Sequence, residues 1–377
     1  MMQLAKDIHN YKIEWEDVKH REGKKLYLSA LVPIIPHEGY GIFSMTSVLE
    51  LEKRGVSVQL LNDVDVRSQG ILAETFHGIV ELLHRDKVPT RWSVTWGYPF
   101  YLEKMPTPNR VLSTMFECTQ IPDDWDKHMP LADQLIVPAP SQVDIFRNSG
   151  YDRPIHIVPI GVDVSSYQYV ERPPRDTFTF VSWARMSSRK MPHELLQCFW
   201  KAFPGVKDVR LVMKTRNHDF GLGSIGIPKH NDSRITIIDE EWPTSKLVDL
   251  AHQADCGVFL SHGEGWFMPP LQAMATGLPV IAPSHSGCSG WADPKYTYIV
   301  GLDPKRPTGD APLGTRGGKP LQWWNPSLDE TVAWMRHVYE NRDEAAAKGK
   351  ASAEYVRKKF NEKVMVDELV KVLGKLK

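Results

Sequence analysis

The chain has 377 residues, long for one hydrophobic core and comfortable for two at about 150 residues per domain, so two domains facing across a cleft are expected. Lys plus Arg equals Asp plus Glu at 46 each, which excludes a whole-molecule field favouring nucleic acid or an anionic membrane and leaves such a partner only a local patch. The four cysteines, Cys118, Cys198, Cys256 and Cys288, form no CxxC pair, and no stretch approaches the ~18 apolar residues of a membrane span; a zinc site, a disulfide framework and a spanning helix are not expected, and a cytoplasmic location is.

Strand-length apolar runs alternate with helical patterns along the chain, the signature of a mostly parallel sheet covered by helices. Strands are predicted at 26–32, 56–61, 92–95, 111–115, 135–137 and 155–158. The first runs into Pro36-His37-Glu38-Gly39-Tyr40-Gly41 and a helix at 42–54. Two glycines there let a backbone approach a phosphate or sugar, or simply make a tight turn of positive φ. The strand end at 95 puts Trp96 and Tyr98 near the cleft, where aromatic rings suit sugars, although core packing is their commoner use. Asp123-Asp124 reads as the cap of a helix.

A polar stretch, SSYQYVERPPRDT, is the linker candidate. Beyond it strands are predicted at 178–181, 211–214, 235–238, 258–260 and 280–282. In FVSWARMSSRKMPHELLQCFW, Arg185 and Lys190 flank a serine-containing loop between strand and helix, and two fixed cations suit a diphosphate. Gly221-Leu222-Gly223-Ser224-Ile225-Gly226 matches GxGxxG, but no helix pattern follows, so the dinucleotide reading is set aside.

The segment EGWFMPPLQAMATGLPVIAP concentrates the chemistry. A short apolar run, 256–260, precedes it, and 269–276 reads as a helix with proline in its first turn. Glu264 and Gly265 therefore sit between strand end and helix start, where an open α/β sheet binds ligands. Gln272 follows roughly two helical turns later. His262 and His285 flank the segment and read as hydrogen-bonded structural residues rather than bases. Residues 302–321 read as a surface loop whose Lys305, Arg306, Arg316 and Lys319 are solvated, with contact to an anion as the alternative. Helices are predicted at 328–341 and 345–376; Arg357-Lys358-Lys359, Lys371, Lys375 and Lys377 allow weak peripheral contact with a membrane or polyanion, a solvated face being the plainer reading.

With these residues in view, the chain resembles the retaining glycosyltransferases of family 4 from about residue 26 to 360. EGWFMPPLQAMATGLPVIA looks like that family's Glu, seven residues, Glu motif with its Gly-Leu-Pro-Val-Ile continuation; LADQLIVPAPSQVDIFRNSGYDRPIHIVPIGVD and the Arg…Arg-Lys segment support it. The resemblance implies the α/β GT-B architecture of two Rossmann-like domains, with 1–168 on the acceptor side, 176–358 on the donor side, and a helix at 359–377 returning to the first domain. It implies transfer of a hexose from a nucleotide diphosphate sugar, UDP-glucose by default, to an acceptor hydroxyl with retention and no obligatory metal or other cofactor.

Carried over by position, Arg185 and Lys190 would contact the donor diphosphate and Glu264 the sugar hydroxyls. The N–H groups of Gly265, Trp266, Phe267 and Met268 would face sugar and phosphate, and Gly39 and Gly41 would close over the phosphates. This chain departs from the family at two places. Gln272 stands where the second Glu binds ribose, which forfeits a charged hydrogen bond of roughly 1.5–3 kcal/mol. STMFECTQIPDDW holds no histidine where one is often found, leaving Glu117 to position or deprotonate the acceptor, or else to pair with an arginine or cap the helix at Asp123. The acceptor stays open among glycan, lipid, small metabolite, protein and modified nucleic acid, and a nucleotide-sugar or glycan binder without transfer is the alternative function.

Overall fold

Runs that are apolar at every position, such as Val280–Pro283, suit strands covered on both faces, and the computed structural model buries that strand throughout. The structure describes residues 26–33, 39–61, 73–85, 90–185, 187–215 and 231–376. Its first half is built from β1 (Leu26–Leu31), α1 (Gly39–Lys53), β2 (Val56–Leu60), α2 (Ala73–His84), β3 (Trp92–Trp96), β4 (Asn109–Ser113), β5 (Gln134–Val137), α3 (Pro140–Asn148) and β6 (Ile155–Ile157). The strands form one parallel sheet of order β2-β1-β3-β4-β5-β6.

The second half adds β7 (Phe178–Trp183), α4 (Pro192–Ala202), β8 (Val209–Thr215), β9 (Ile235–Asp239), α5 (Thr244–Gln253), β10 (Cys256–Val258), α6 (Met268–Ala275), β11 (Val280–Pro283) and β12 (Tyr298–Val300). These strands make a second parallel sheet of order β12-β11-β10-β7-β8-β9. The chain leaves β7 outward through β8 and β9, then crosses back to lay β10 on the other side. Loops after β7 and β10 thus depart in opposite directions, and a crevice opens at their carboxyl ends. In the first sheet the same reversal falls between β1 and β3.

Every predicted strand is present, with shifted ends; the run 256–260 stays in the sheet only to Val258, and β12 was not foreseen. Residues 302–321 correct the expectation of a surface loop. They enter an antiparallel hairpin, β13 (Thr308–Arg316) and β14 (Lys319–Trp324), turned by Gly317-Gly318, both at positive φ as a two-residue hairpin turn requires. A register shift between Ala311 and Thr315 takes in Pro312 and Gly314, which is why the strand alternation fades there.

The hairpin lies against the first half. Ala311, Leu321 and Trp323 are buried in one cluster with Leu112, Phe116, Ile121 and Trp125. Arg316 pairs with Asp126 at 2.5 Å, so it is tied rather than free to meet an anion. Asp123 accepts from the Gly317 N–H at 3.0 Å and sits in a short 3-10 turn, so it does not cap an α-helix.

The closing segment is α7 (Leu328–Glu340), α8 (Arg342–Lys359) and α9 (Glu362–Leu373). The single helix expected at 345–376 breaks at Phe360-Asn361, where Asn361 Oδ1 caps the next helix by accepting from Val364 N at 2.9 Å. That break turns α9 back to the first half, where Arg54 Nε meets Asp367 at 3.1 Å and Thr46 faces Glu362. Arg357, expected on a basic solvated face, donates to the carbonyls of Val164, Tyr167 and Ala275 and ties α8 to the linker and to α6. Among the described residues no helix is long and apolar enough to cross a membrane.

Burial, with Asp163 and Glu50 adding, pushes the Glu362 carboxyl up from 4.5 to about 7. The folded protein therefore holds a proton that the unfolded chain gives up, so this position favours folding below pH 4.5 and loses that contribution as pH rises through about 7. Glu362→Gln is expected to raise the unfolding free energy at pH 8 by at most about 3 kcal/mol and to leave it unchanged near pH 4.5, read from urea midpoints at the two pH values.

Candidate functional site

Two loops converge at the reversal between β7 and β10. The first makes a 3-10 turn, Ser188–Lys190, passes through Met191 at φ 52° and enters α4 at Pro192. The second runs from Phe259 to Phe267, which sits at φ 75°, and enters α6 with Pro269 and Pro270 in the first turn. Left-handed backbone at a methionine and a phenylalanine costs about 1–3 kcal/mol each and persists only where the surroundings fix it. The loops are fastened by His262 N donating to Arg189 O at 2.8 Å and by Arg189 Nη1 donating to Gly263 O at 2.5 Å.

Glu264 is 5% exposed, and its Oε1 receives two cations: Lys190 Nζ at 2.5 Å and Arg189 Nη1 at 3.0 Å. Arg189 Nη2 also reaches Glu117 Oε1 at 3.6 Å, so the arginine links a carboxylate of each half. Lys190 Nζ lies 4.4 Å above the Phe267 ring. Burial alone would raise the Glu264 pKa; Arg189 and Lys190 outweigh it and hold the carboxyl below its ordinary value. For Arg189 burial is likewise outweighed, by Glu264 and Glu117, and its pKa lies above the ordinary arginine value. Formal charge cancels within the four side chains, as burial demands, since removing one partner of such a cluster costs about 3–5 kcal/mol.

The first half closes directly on this cluster. Gln142, on α3, accepts from Phe116 N at 2.8 Å and donates to Phe116 O at 2.9 Å and to Glu264 O at 3.3 Å. Ser286 Oγ accepts from Glu264 N at 2.8 Å, Gly287 N donates to Glu264 O at 2.9 Å, and Ser141 Oγ, also on α3, donates to Ser286 O at 2.5 Å. A Cβ on Gly263 would strike the Glu117 carbonyl, and one on Gly265 the Met115 side chain. Glycine at both places is the condition for this approach.

Gly39, Tyr40 and Gly41 form the first turn of α1 rather than a turn before it. The Tyr40 hydroxyl donates to Met115 O at 3.0 Å and accepts from Met115 N at 2.9 Å, holding that helix start against the loop that carries Glu117; burial pushes the hydroxyl pKa up.

The expected site residues are not all in one place. Lys190, Glu264 and Glu117 meet, whereas Arg185 is exposed on the same loop and Arg189 fills the inner position. Trp266 is buried against Phe360 and Trp291, whose Nε1 donates to Trp266 O at 2.8 Å; its ring anchors the loop. Met268 begins α6, and Gln272, one turn on, accepts from Trp183 Nε1 at 3.3 Å through its amide oxygen. Trp96 is fully buried in the core, whereas Tyr98 is 48% exposed and stacked on Phe100 at 5.5 Å. His285 is neutral, burial bringing its pKa down to about 4, and its Nε2 bonds Ser261 O at 3.1 Å. Burial also lowers His262, whose Nδ1 bonds Trp324 O at 2.8 Å.

Arg189, Gln142, Ser286, Trp323 and Trp324 were missed. The Arg189-Lys190 doublet was a usable signal for the first; nothing local marks the others. A surface cavity of about 340 Å³ under the hairpin, lined by Asp126, Tyr151, Arg153 and Arg316 among others, shares no residue with the Glu264 cluster.

No model of a known protein family matches the chain, and no curated protein sequence does. Solved structures do resemble it. Sucrose-phosphate synthase from Thermosynechococcus elongatus aligns over 93% of this chain and 99% of its own with a TM-score of 0.66 at 15% identity. Alr3699/HepE of Anabaena, solved with UDP-glucose, aligns over 93% and 100% at TM-score 0.64 and 13% identity. Trehalose-6-phosphate synthase OtsA aligns over 93% and 99% at TM-score 0.62 and 10% identity. With two parallel six-stranded sheets meeting at a seam, the chain has the GT-B architecture of these neighbours.

Because the atom in the way is backbone, Gly263→Ala is expected to force the halves apart at Glu117 and to lower the unfolding free energy by about 1–3 kcal/mol, read from the urea midpoint.

Proposed function

We propose that the chain is a retaining glycosyltransferase that moves a hexose from a nucleotide diphosphate sugar, UDP-glucose by default, to an acceptor hydroxyl without an obligatory metal. The observation that carries this reading is the buried Glu264 carboxylate, held between Arg189 and Lys190 at the strand-order reversal of the second sheet and facing Glu117 of the first half. The solved neighbour that holds UDP-glucose supports the choice of donor.

In this reading the cluster is a charge-exchange device. An arriving diphosphate takes over Arg189 and Lys190, and Glu264, released from its ion pairs, accepts from the donor sugar's hydroxyls. The N–H groups of Gly265 to Met268 at the start of α6 and the first turn of α1 at Gly39 and Gly41 add positive ends of helix dipoles toward the phosphates. Arg185, exposed on the same loop, is an outer contact to the diphosphate. Two cations at the leaving group supply the charge neutralisation that a metal ion supplies elsewhere.

Transfer then runs on one face of the sugar. The bond from the anomeric carbon to the diphosphate oxygen breaks, the acceptor oxygen bonds that carbon from the same side, and the acceptor proton passes to the departing diphosphate oxygen. Glu117 orients the acceptor hydroxyl. Gln272, its amide oxygen engaged by Trp183, has N–H groups to donate to a ribose oxygen where a carboxylate would accept.

A second reading, nucleotide-sugar binding without transfer, is favoured by the Gln272 exchange and by the missing histidine near Glu117, and calorimetric binding of UDP-glucose with no transfer or hydrolysis would establish it. For the transferase reading, Glu264→Gln is expected to cut both transfer and donor hydrolysis by about 100-fold, and unchanged turnover of UDP-glucose contradicts the role of Glu264.

A further inference from the structure

We propose that Trp323 and Trp324 are positioning residues for the Glu264–Arg189–Lys190 cluster, delivered by a hairpin that is at the same time bound to the first half. Two ring stacks join the hairpin to the site loops. Trp323 lies parallel to His262, 4.5 Å between centroids and 12° between planes, and Trp324 stacks on His285 at 5.5 Å and 27°. The first histidine is tied to the hairpin backbone twice more, Trp324 N donating to His262 O at 2.9 Å and His262 Nδ1 donating to Trp324 O at 2.8 Å.

Each stack controls one side of the site. The backbone N–H of His262 holds Arg189 O, so the Trp323 stack fixes the loop that carries both cations. His285 immediately precedes the 3-10 turn Ser286–Gly290, whose Ser286 Oγ and Gly287 N hold Glu264 by its own N–H and carbonyl. The Trp324 stack therefore fixes the backbone of the carboxylate. Both tryptophans act through histidines whose pKa burial lowers.

The outer side of the same hairpin grips the first half. Thr119, two residues past Glu117, donates its N–H to Gln322 O at 2.8 Å, and Trp323 shares a buried cluster with Phe116 and Trp125. One rigid element thus registers the loop of Glu117 against the loops of Arg189 and Glu264.

What the cluster holds is taken from the proposed glycosyl transfer, and the test separates the two ideas. Trp324→Leu keeps apolar bulk and removes the stack. Calorimetry is expected to show the Kd for UDP-glucose rising about tenfold while that for UDP stays within about twofold, because the sugar's grip is lost and the nucleotide's is not. Trp324→Phe, which keeps a ring to stack, restores the UDP-glucose value, and His285→Ala, which removes the other ring, reproduces the loss. Equal weakening of both nucleotides, or no change in either, overturns the proposal. A crystal structure of the Trp324→Leu protein is the second readout: Ser286 and Glu264 displaced supports the inference, and a cluster with every contact unchanged overturns it. Wild-type protein that binds neither nucleotide overturns the transferase reading, and the crystal structure then still decides the role of Trp324.

Discussion

One carboxylate oxygen shared by two cations out of water is the interaction on which the rest of the molecule depends. Glu264 Oε1 takes Lys190 at 2.5 Å and Arg189 at 3.0 Å. Desolvating three charges is expensive, and the arrangement is worth having only where geometry is fixed by everything around it. The two left-handed residues that start α4 and α6, the Ser286 turn, and the hairpin's histidine stacks all serve that end. They sit where the strand order reverses, the one place in an open parallel sheet where two loops face each other across a crevice. In the proposed function such a cluster trades partners with a diphosphate, which carries charge of the sign that Glu264 supplies in its absence.

The seam between the halves carries the second constraint. Gln142 bridges Phe116 and the Glu264 carbonyl, Ser141 reaches the Ser286 carbonyl, Gly263 lets backbone from the two halves touch, and Gly265 leaves room for the Met115 side chain. The hairpin closes the same seam from its other side, and α9 returns to α1 across the back. Opposing residues are therefore set by backbone contact and by short, buried side-chain bridges, which suits the transfer proposed for this site, where reacting atoms must come to hydrogen-bond distance.

Much of this was legible in the sequence because it is periodic or local. Strand alternation with helices gave both sheets, and a strand end, a Glu-Gly pair and a proline-started helix gave the place of Glu264. What escaped depends on contacts far apart in the chain. Arg185 and Arg189 are equally plausible cations in a linear reading; only the 3-10 turn decides which one points inward. The hairpin hid behind Pro312 and Gly314 at its register shift, although Gly317-Gly318 was a hairpin signal in plain view. Trp96 ends β3 and packs edge-on against Phe43 of α1, whereas Tyr98 lies outside the strand, past Gly97 at φ 114° and before a 3-10 turn, so the backbone turn at Gly97 rather than strand alternation separates their burial. The break at Asn361 was readable as an N-cap within a long charged helix, and the return of α9 to the first half was expected from the family resemblance rather than from any local signal.

The most direct test of the central claim is a crystal structure of the protein with UDP-glucose. The account predicts the diphosphate on Arg189 and Lys190, both drawn off Glu264, and the sugar hydroxyls donating to the freed carboxylate with the anomeric carbon toward Glu117. A nucleotide sugar bound elsewhere, or bound here with both ion pairs to Glu264 Oε1 intact, would contradict it.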